Sequence, residues 1–480
     1  MTLSLELFTQ LLVPNNLAPG KEFSENHALF YNQAPDMELR AKIRFIMGQE
    51  VDFLATDDDE VKRLVKYWRA ELAPELEQND LDESFDESDL NDLSSDAPVI
   101  RLVNHLFERA LDLNASDIHF EPEEGNFDVR CRVDGIMTQI ETLPVNAQAA
   151  VISRLKLMAK LDIGEKRLPQ DGRIEYRMGN KNLDLRVSTL PGVHGESVVL
   201  RILDRSDVMV SLESLGMPDD VLDEYQKLIH QPHGMILVTG PTGSGKTTSL
   251  YATLEKINSK EQKIITVEDP VEYQLEGITQ IHVNSKIGLS FASGLRSIVR
   301  QDPDVIMIGE IRDHETASIA VESALTGHLV FSTLHTNDAA GAISRLQDMG
   351  LESYLLSSSL LAVQAQRLVR QVCENCKEPT PISDVEQKLL NLNPDELSEI
   401  YHGKGCQNCG GTGYRGRIGL YELLVMNDDI RHLVNTGADA AAIRRHAVSQ
   451  GMRTLRQDAL QKLMDGLTTP EEVLRVTRSV

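Results

Sequence analysis

No apolar stretch in this chain approaches the length that spans a bilayer, and the N-terminus, MTLSLELFTQ, lacks the basic segment and apolar core of a secretory signal. A cytoplasmic chain is expected, whose contact with any membrane runs through other proteins. Cationic charge is short as well: 48 Lys and Arg stand against 74 Asp and Glu, giving a net charge of −26 and a pI near 4.9. Such a surface repels a polyanion, so no nucleic-acid partner is expected. Five cysteines in 480 residues do not make a disulfide scaffold. No repeat of solenoid length is visible, which excludes a stacked-repeat architecture. What remains is a chain with room for roughly two to four domains with real hydrophobic cores.

The densest chemistry is GPTGSGKTTSL (240–250), directly after the apolar run MILVT (235–239). A strand, a glycine-rich turn and a helix-forming segment in that order make a phosphate cradle. Gly240, Gly245, Lys246 and Thr247 occupy the fixed points of the pattern. The loop Gly240, Pro241, Thr242, Gly243, Ser244, Gly245 turns its N–H groups toward a phosphate at a helix N-terminus. Lys246 supplies an ammonium to the β- and γ-phosphates, the Thr247 hydroxyl is a Mg²⁺ ligand, and Thr248 opens the helix beside it. The motif specifies a nucleotide site for ATP with Mg²⁺.

Organisation follows from periodicity. Residues 1–75 carry weak helical patterning, best in DDDEVKRLVKYWRAEL (57–72), and no chemical motif. Residues 76–96 hold the acidic run EQNDLDESFDESDLNDLSSD (77–96), with too little apolar surface to fold alone, and read as a linker. Residues 97–206 open with an amphipathic helix, APVIRLVNHLFERALDL, and continue as strands around the helix AVISRLKLMAKL, with Gly179–Asn180 as a hairpin turn. From 207 to 480 the pattern alternates strand and helix: MILVT, IITV, DVIMIG and HLVFSTL are the strands. That alternation implies a largely parallel α/β sheet with its ligand at the strands' C-terminal ends.

Acidic residues recur at those ends. Glu268, Asp269 and Glu272 follow IITV, and Glu310 follows DVIMIG. One carboxylate there is commonly a helix cap, but two clusters sharing an edge with a phosphate loop suit Mg²⁺ binding and orientation of a water. Glu310 is assigned near the metal, and either Glu268 or Glu272 orients the water. His335, in STLHTND, ends the fourth strand and is a candidate γ-phosphate sensor. Arg186, Arg201, Arg296, Arg300 and Arg312 are all candidates to stabilise phosphate charge, and residue type alone does not choose among them.

Cys373-Glu-Asn-Cys376 and Cys406-Gln-Asn-Cys409 form two C-x-x-C pairs about thirty residues apart, the donor set of a closed tetrahedral Zn²⁺ site with a structural role. The second pair continues as GGTGYRGRIGLYE, glycine-rich in the manner of a zinc knuckle. Cys131, in VRCRVDG, reads as a small buried side chain.

Together these motifs resemble the secretion ATPase superfamily, specifically the assembly ATPases of type II secretion and type IV pili. GPTGSGKTTSLY matches that family's Walker A, ITVEDPVEY its Asp box, RQDPDVIMIGEIRD its Walker B and TGHLVFSTLHTND its His box. ASDIHFEP, VRCRVDG and LRVSTLPGVHGESVVLRIL match the domain before the motor, and DAPVIRLVNHLFERALDLNASDIHFEP looks closest to the type II branch, the general secretion pathway protein E family. The resemblance implies a RecA-like ATPase domain with a zinc-binding insertion at 372–418, preceded by a mixed, PAS-like α/β domain and a small N-terminal domain. It implies that Arg186 and Arg201 reach the nucleotide from the preceding domain, while Arg296, Arg300 and Arg312 lie near subunit or domain contacts. It also implies a homo-hexamer at the inner membrane that moves a polytopic platform protein and docks on an anchor protein through residues 1–75. The function so implied is ATP hydrolysis driving pseudopilus assembly for protein export; extension of a type IV pilus is the alternative.

Overall fold

The computed structural model describes residues 96–480 apart from 179–180, 205–209, 393–398 and 478–480, together with short stretches between 17 and 64. Of the helical pattern at 57–72 it describes positions 61, 63 and 64, which are helical. The acidic run up to residue 95 and the Gly179–Asn180 turn lie outside the described residues. The chain divides into two compact units, 1–106 and 107–480, the division falling inside helix α1 (Asp96–Asp112).

In the first unit three short strands, β1 (Leu17–Pro19), β2 (Ala28–Tyr31) and β3 (Asp52–Ala55), form a sheet in that order. β1 runs antiparallel to β2, and β3 runs parallel to it. Leu17 and Leu29 are buried, and Val61 and Leu64 pack with Phe30.

The second unit begins with a six-stranded antiparallel sheet of β4 (Ala115–Pro122), β5 (Phe127–Val133), β6 (Ile136–Leu143), β7 (Gln170–Met178), β8 (Lys181–Gly192) and β9 (Gly195–Asp204), in the order β6-β5-β4-β9-β8-β7. Period-two alternation decides its faces: Leu183, Leu185 and Val187 of β8 are buried, while Arg186 between them turns the other way. Asp134 and Gly135 close the β5–β6 hairpin, both with positive φ (48° and 86°), the conformation a two-residue loop of this twist requires. Helix α2 (Ala147–Met158) lies between β6 and β7 in sequence. Phe107 of α1 meets Tyr176 of β7 edge-on at 5.1 Å. Cys131 is fully buried, and burial pushes its thiol up to about 12, as suits a packing residue.

Beyond helix α3 (Asp219–Ile229) the chain builds a seven-stranded sheet. β10 (Gly234–Thr239), β11 (Ile264–Glu268), β12 (Thr279–His282), β13 (Val305–Ile308), β14 (Leu329–Leu334) and β15 (Leu360–Val372) run parallel in the order β12-β11-β13-β14-β10-β15. β10, β11, β13 and β14 are buried throughout, as expected when helices cover both faces. Met235 and Leu237 of β10 pack toward helices α5 (Phe291–Ile298), α6 (His314–Leu325) and α7 (Ala339–Asp348). Ile236 and Val238 pack on the opposite side with Leu222 and Tyr225 of α3 and with Leu250 and Leu254 of helix α4 (Lys246–Ile257).

A small insertion leaves this sheet after β15. It carries the antiparallel pair β16 (Lys377–Pro381) and β17 (Glu399–Gly403), and then the chain returns as β18 (Tyr414–Val425), antiparallel to β15. Most of the glycine-rich stretch after Cys409 is therefore sheet; only 410–413 belong to the knuckle turn, with Gly410, Gly411 and Gly413 at positive φ. Four helices close the chain: Asp428–Asn435, Ala440–Ser449, Leu455–Met464 and Pro470–Thr477. Among the described residues no helix is long and apolar enough to cross a membrane.

Candidate active site

β10 delivers the chain at the C-terminal edge of the parallel sheet, and the loop 240–245 turns it into α4. Gly240 has φ 154°, and a Cβ there would stand 2.5 Å from the Gln366 carbonyl oxygen on β15, so only glycine lets the loop lie this close. Gly245, at φ 85°, is the left-handed residue immediately before α4. The Lys246 ammonium donates to the carbonyls of Gly240 (2.7 Å) and Pro241 (3.1 Å), folding back over the loop it serves. Burial pushes its pKa down to about 8, against the pull of the Glu310 carboxylate. Thr247 and Thr248 are exposed on the first turn of α4.

A cleft of about 520 Å³ opens over this loop, and Thr242, Gly243, Ser244, Gly245, Lys246, Thr247 and Thr248 line one side. Glu268, Asp269 and Glu272 line it from the end of β11, Glu310 and Arg312 from the end of β13, and His335 from the end of β14. Two separate strand ends thus bring acidic residues to the lysine-bearing loop, and a third brings His335.

The carboxylates stand in different settings. Glu268 is buried and accepts from Thr266 Oγ1 (2.5 Å), Gln280 Nε2 (3.1 Å) and the Tyr251 hydroxyl, so both its oxygens are engaged. Glu272 is held from the six-stranded sheet: Arg186 Nη1 lies 2.9 Å from its Oε2, and Nη2 donates to the Val271 carbonyl at 3.2 Å. Glu310 pairs with Arg312, and His335 Nε2 stands 3.6 Å from its other oxygen. Burial and the nearby Lys246 charge lower the His335 pKa, with Glu310 opposing. Near neutral pH this imidazole is a neutral hydrogen-bonding group.

The arginines sort themselves by position. Arg312 lines the cleft and Arg186 reaches its rim through Glu272. Arg201, the register partner of Arg186 on β9, stops at Asp117, with Nε 3.0 Å from Oδ1, and does not line the cleft. Arg296 pairs with Glu315, and Arg300 donates to the Arg296 carbonyl at 2.6 Å. Sequence reasoning passed over Tyr251, Thr266 and Gln280, the donors around Glu268; Tyr251 stands inside the motif itself, four residues past Thr247, on the helical spacing that turns it to the same face. Arg417, which lines both this cleft and a second cavity of about 600 Å³ beyond Gly245 and Thr248, was missed as well.

The four cysteines of the insertion gather with their sulfurs within 4.8 Å of one another. Sγ–Sγ separations are 3.9 Å for Cys373–Cys406, 3.8 Å for Cys376–Cys409 and 3.7 Å for Cys406–Cys409. A tetrahedron with ligands about 2.3 Å from its centre has edges of about 3.8 Å, so the cluster fits one Zn²⁺ with no open position. Backbone N–H groups of Cys406 (3.1 Å) and Gly413 (3.3 Å) donate to Cys409 Sγ, as befits a thiolate.

A phosphate loop after β10, in a parallel sheet whose neighbouring strands carry acidic residues to the same edge, defines an α/β P-loop nucleotide-binding protein. The chain belongs to the type II/IV secretion system protein family, whose model matches residues 92–475. It is 50% identical over 424 residues to the type II secretion system protein E of Pectobacterium carotovorum subsp. carotovorum, covering 88% of this chain and 84% of that protein. It is 45% identical over 447 residues to the type IV pilus assembly ATPase PilB of Myxococcus xanthus, covering 90% of this chain and 79% of that one. Among solved structures it is similar to the pilus retraction motor PilT with bound ADP, at a TM-score of 0.53 and 28% identity, over 78% of this chain and 97% of that chain.

Proposed function

We propose that this chain hydrolyses ATP to drive assembly of the pseudopilus in type II secretion. The observation that carries the reading is the single cleft in which Lys246 and Thr247 face Glu268, Glu272 and Glu310. The loop N–H groups and Lys246 bind the triphosphate, and Thr247 with Glu310 offers the hard oxygen donors that Mg²⁺ takes. Bound there, the ion would neutralise charge on the phosphates. Glu310 is the carboxylate best placed beside Lys246 and His335, whereas both oxygens of Glu268 are engaged by side-chain donors. Glu268 therefore orders the edge of the cleft, and Glu272 links it to Arg186 and the sheet before the motor.

The fuller assignment rests on the family. A homo-hexamer, docked on an inner-membrane anchor protein through residues 1–75 and acting on a polytopic platform protein, agrees with membership and with a chain that offers no spanning helix among its described residues. Domains at 1–75, 97–206 and 207–480, the first two joined by the acidic segment 76–96, are the proposed organisation, and Zn²⁺ on Cys373, Cys376, Cys406 and Cys409 holds the insertion together. The 45% identity to a pilus-assembly ATPase favours a second reading, extension of a type IV pilus. Capture of inner-membrane proteins by residues 1–75 separates these two.

Phosphate release from Mg·ATP tests the core of the proposal. Purified chain should turn ATP over, and Lys246→Ala should abolish turnover. Undiminished release by Lys246→Ala would remove the cleft from the chemistry.

A further inference from the structure

β15 runs beside the phosphate loop, and its alternation splits three consecutive residues between two tasks. Gln366 and Leu368 line the cavity beyond Gly245 and Thr248, and Gln366 Oε1 accepts from Ser249 of α4 at 2.9 Å. Arg367, between them, goes the other way. It is 7% exposed and lines neither cavity. Its Nη2 donates to both the carbonyl and the Oδ1 of Asn337, each at 3.1 Å.

Asn337 belongs to the loop 335–338 that leaves β14 carrying His335. That loop is tied at a second point: the Thr336 N–H donates to Thr239 Oγ1 at 2.9 Å, and the two hydroxyls are 2.7 Å apart. Thr239 is the residue before Gly240. So the histidine loop is clamped between the strand that enters the phosphate loop and the strand that flanks it. His335, at the start of that loop, has its Nε2 3.6 Å from Glu310.

Tying a loop to a carbonyl needs only a neutral donor, yet the chain buries a guanidinium here. Its Nη1 is buried with no hydrogen-bond partner among the described residues, an arrangement that costs stability. Part of the charge is balanced by Asp338 and by Glu422, a buried carboxylate that accepts the Ala339 N–H at 3.0 Å where α7 begins. The charge of Arg367 is also felt at Lys246.

We propose that Arg367 is a positioning residue for hydrolysis: by gripping Asn337 it fixes the loop that sets His335 against Glu310. This rests on the hydrolysis reading above. The residue lines neither cavity, and its hydrogen bonds go to Asn337, so its positional effect passes through the His335 loop while its charge reaches Lys246 only at a distance. A misplacement of one ångström in such a group costs up to about a hundredfold in rate.

The test is steady-state phosphate release by the full-length chain and its variants Arg367→Gln, Arg367→Lys, His335→Gln and the double variant Arg367→Gln/His335→Gln. Arg367→Gln should lower kcat about ten- to hundredfold while KM for ATP moves less than about threefold, and Arg367→Lys should recover part of the loss. In the His335→Gln background, itself slow, Arg367→Gln should add less than about twofold. A kcat for Arg367→Gln within about twofold of the parent, losses that multiply in the double variant, or a silent His335→Gln would each overturn the assignment. Should Arg367→Gln fail to fold, Asn337→Ala, on the exposed side of the contact, carries the same cycle: a loss in kcat that vanishes beside His335→Gln supports the role, and an independent loss overturns it. Lys246→Ala separates the two levels. Turnover surviving it sinks the hydrolysis reading and this one together, whereas turnover lost in Lys246→Ala and intact in Arg367→Gln sinks this one alone.

Discussion

Arg186 on β8 sets its Nη1 2.9 Å from Glu272 Oε2 in the loop after β11, joining the six-stranded sheet to the edge of the nucleotide cleft. The pair is built by register and by alternation together. β8 turns Arg186 off its buried face, and the Val271 carbonyl takes a second N–H of the same guanidinium at 3.2 Å. Any motion of that sheet relative to the cleft must break or carry this contact, which makes it the natural place to look for coupling between nucleotide and domain position.

Each side chain of the pair is about one-third exposed (30% and 31%), so the ion pair should contribute roughly 0.5–1 kcal/mol and no more. Denaturant unfolding of the parent, Arg186→Gln, Glu272→Gln and the double variant should yield a coupling energy of that size. Arg186→Gln should also slow turnover more than Arg201→Gln does, since Arg201 ends on Asp117. Equal effects from the two arginines would show that the contact with Glu272 is incidental to hydrolysis.

The phosphate loop, the cysteine pairs and the four central strands were legible because each is a local pattern: fixed spacing, or a short apolar run between turn signals. β15 and β18 were not. LLAVQAQRLVRQV carries Gln364, Gln366, Arg367 and Arg370 into a buried strand, and its partner carries Glu422. Where their polarity is satisfied, distant residues do it, as when Ser249 meets Gln366 or Glu472 receives Arg370 at 2.9 Å. Nothing near them in sequence announces those partners. Distance in sequence also hides much of the choice among carboxylates, since Gln280 donates to Glu268 and His335 stands by Glu310. Arg201 shows the converse: the family resemblance put it with Arg186, and one strand of lateral displacement leaves it on Asp117.

Lys246 gives the site a pH dependence of definite sign. Burial holds its pKa at about 8, below the ordinary 10.5, so below about 8 the free site carries the ammonium and above it the proton is lost. A bound triphosphate favours the charged form and must restore that proton above pH 8. Nucleotide affinity should therefore fall with rising pH from about 8 upward, by at most about tenfold per unit. Between 8 and 10.5 the unfolded chain holds the proton more tightly than the fold does, so this lysine's share of stability rises with pH over the same window. Titration with a fluorescent nucleotide from pH 7 to 9.5 measures the first effect; constant affinity would contradict the burial assigned to Lys246.

Tyr251 tests the setting of Glu268. Its hydroxyl donates to the carboxylate and accepts the Glu272 N–H at 3.3 Å, while its ring meets Tyr273 edge-on with centroids 4.6 Å apart. Burial first, then the Glu268 charge, drive its own pKa upward, so it remains a donor at any working pH. Tyr251→Phe keeps the ring contact and removes one donor to a buried charge, which should cost about 1.5–3 kcal/mol in denaturant unfolding. Turnover should fall with it. A Tyr251→Phe chain as stable as the parent would mean that Thr266 and Gln280 suffice to hold Glu268.

The four cysteines of the insertion offer one metal ion a closed set of sulfur donors. Four thiolates would complete a tetrahedral shell around one ion and leave it no position for water or substrate, and no cysteine lines the cleft over Lys246. Metal analysis of purified chain should find one zinc per chain. Replacing Cys409, whose Sγ receives the N–H groups of Cys406 and Gly413, by serine should release it. Because a structural zinc supplies folding energy to the segment that binds it, the loss should appear as faster proteolysis between residues 373 and 413 and a lower melting temperature. Turnover per folded chain at low temperature should change by less than roughly threefold, since the shell leaves the metal no chemical role. Turnover that vanished with the zinc while melting and proteolysis stayed as in the parent would assign the ion to catalysis, against its geometry.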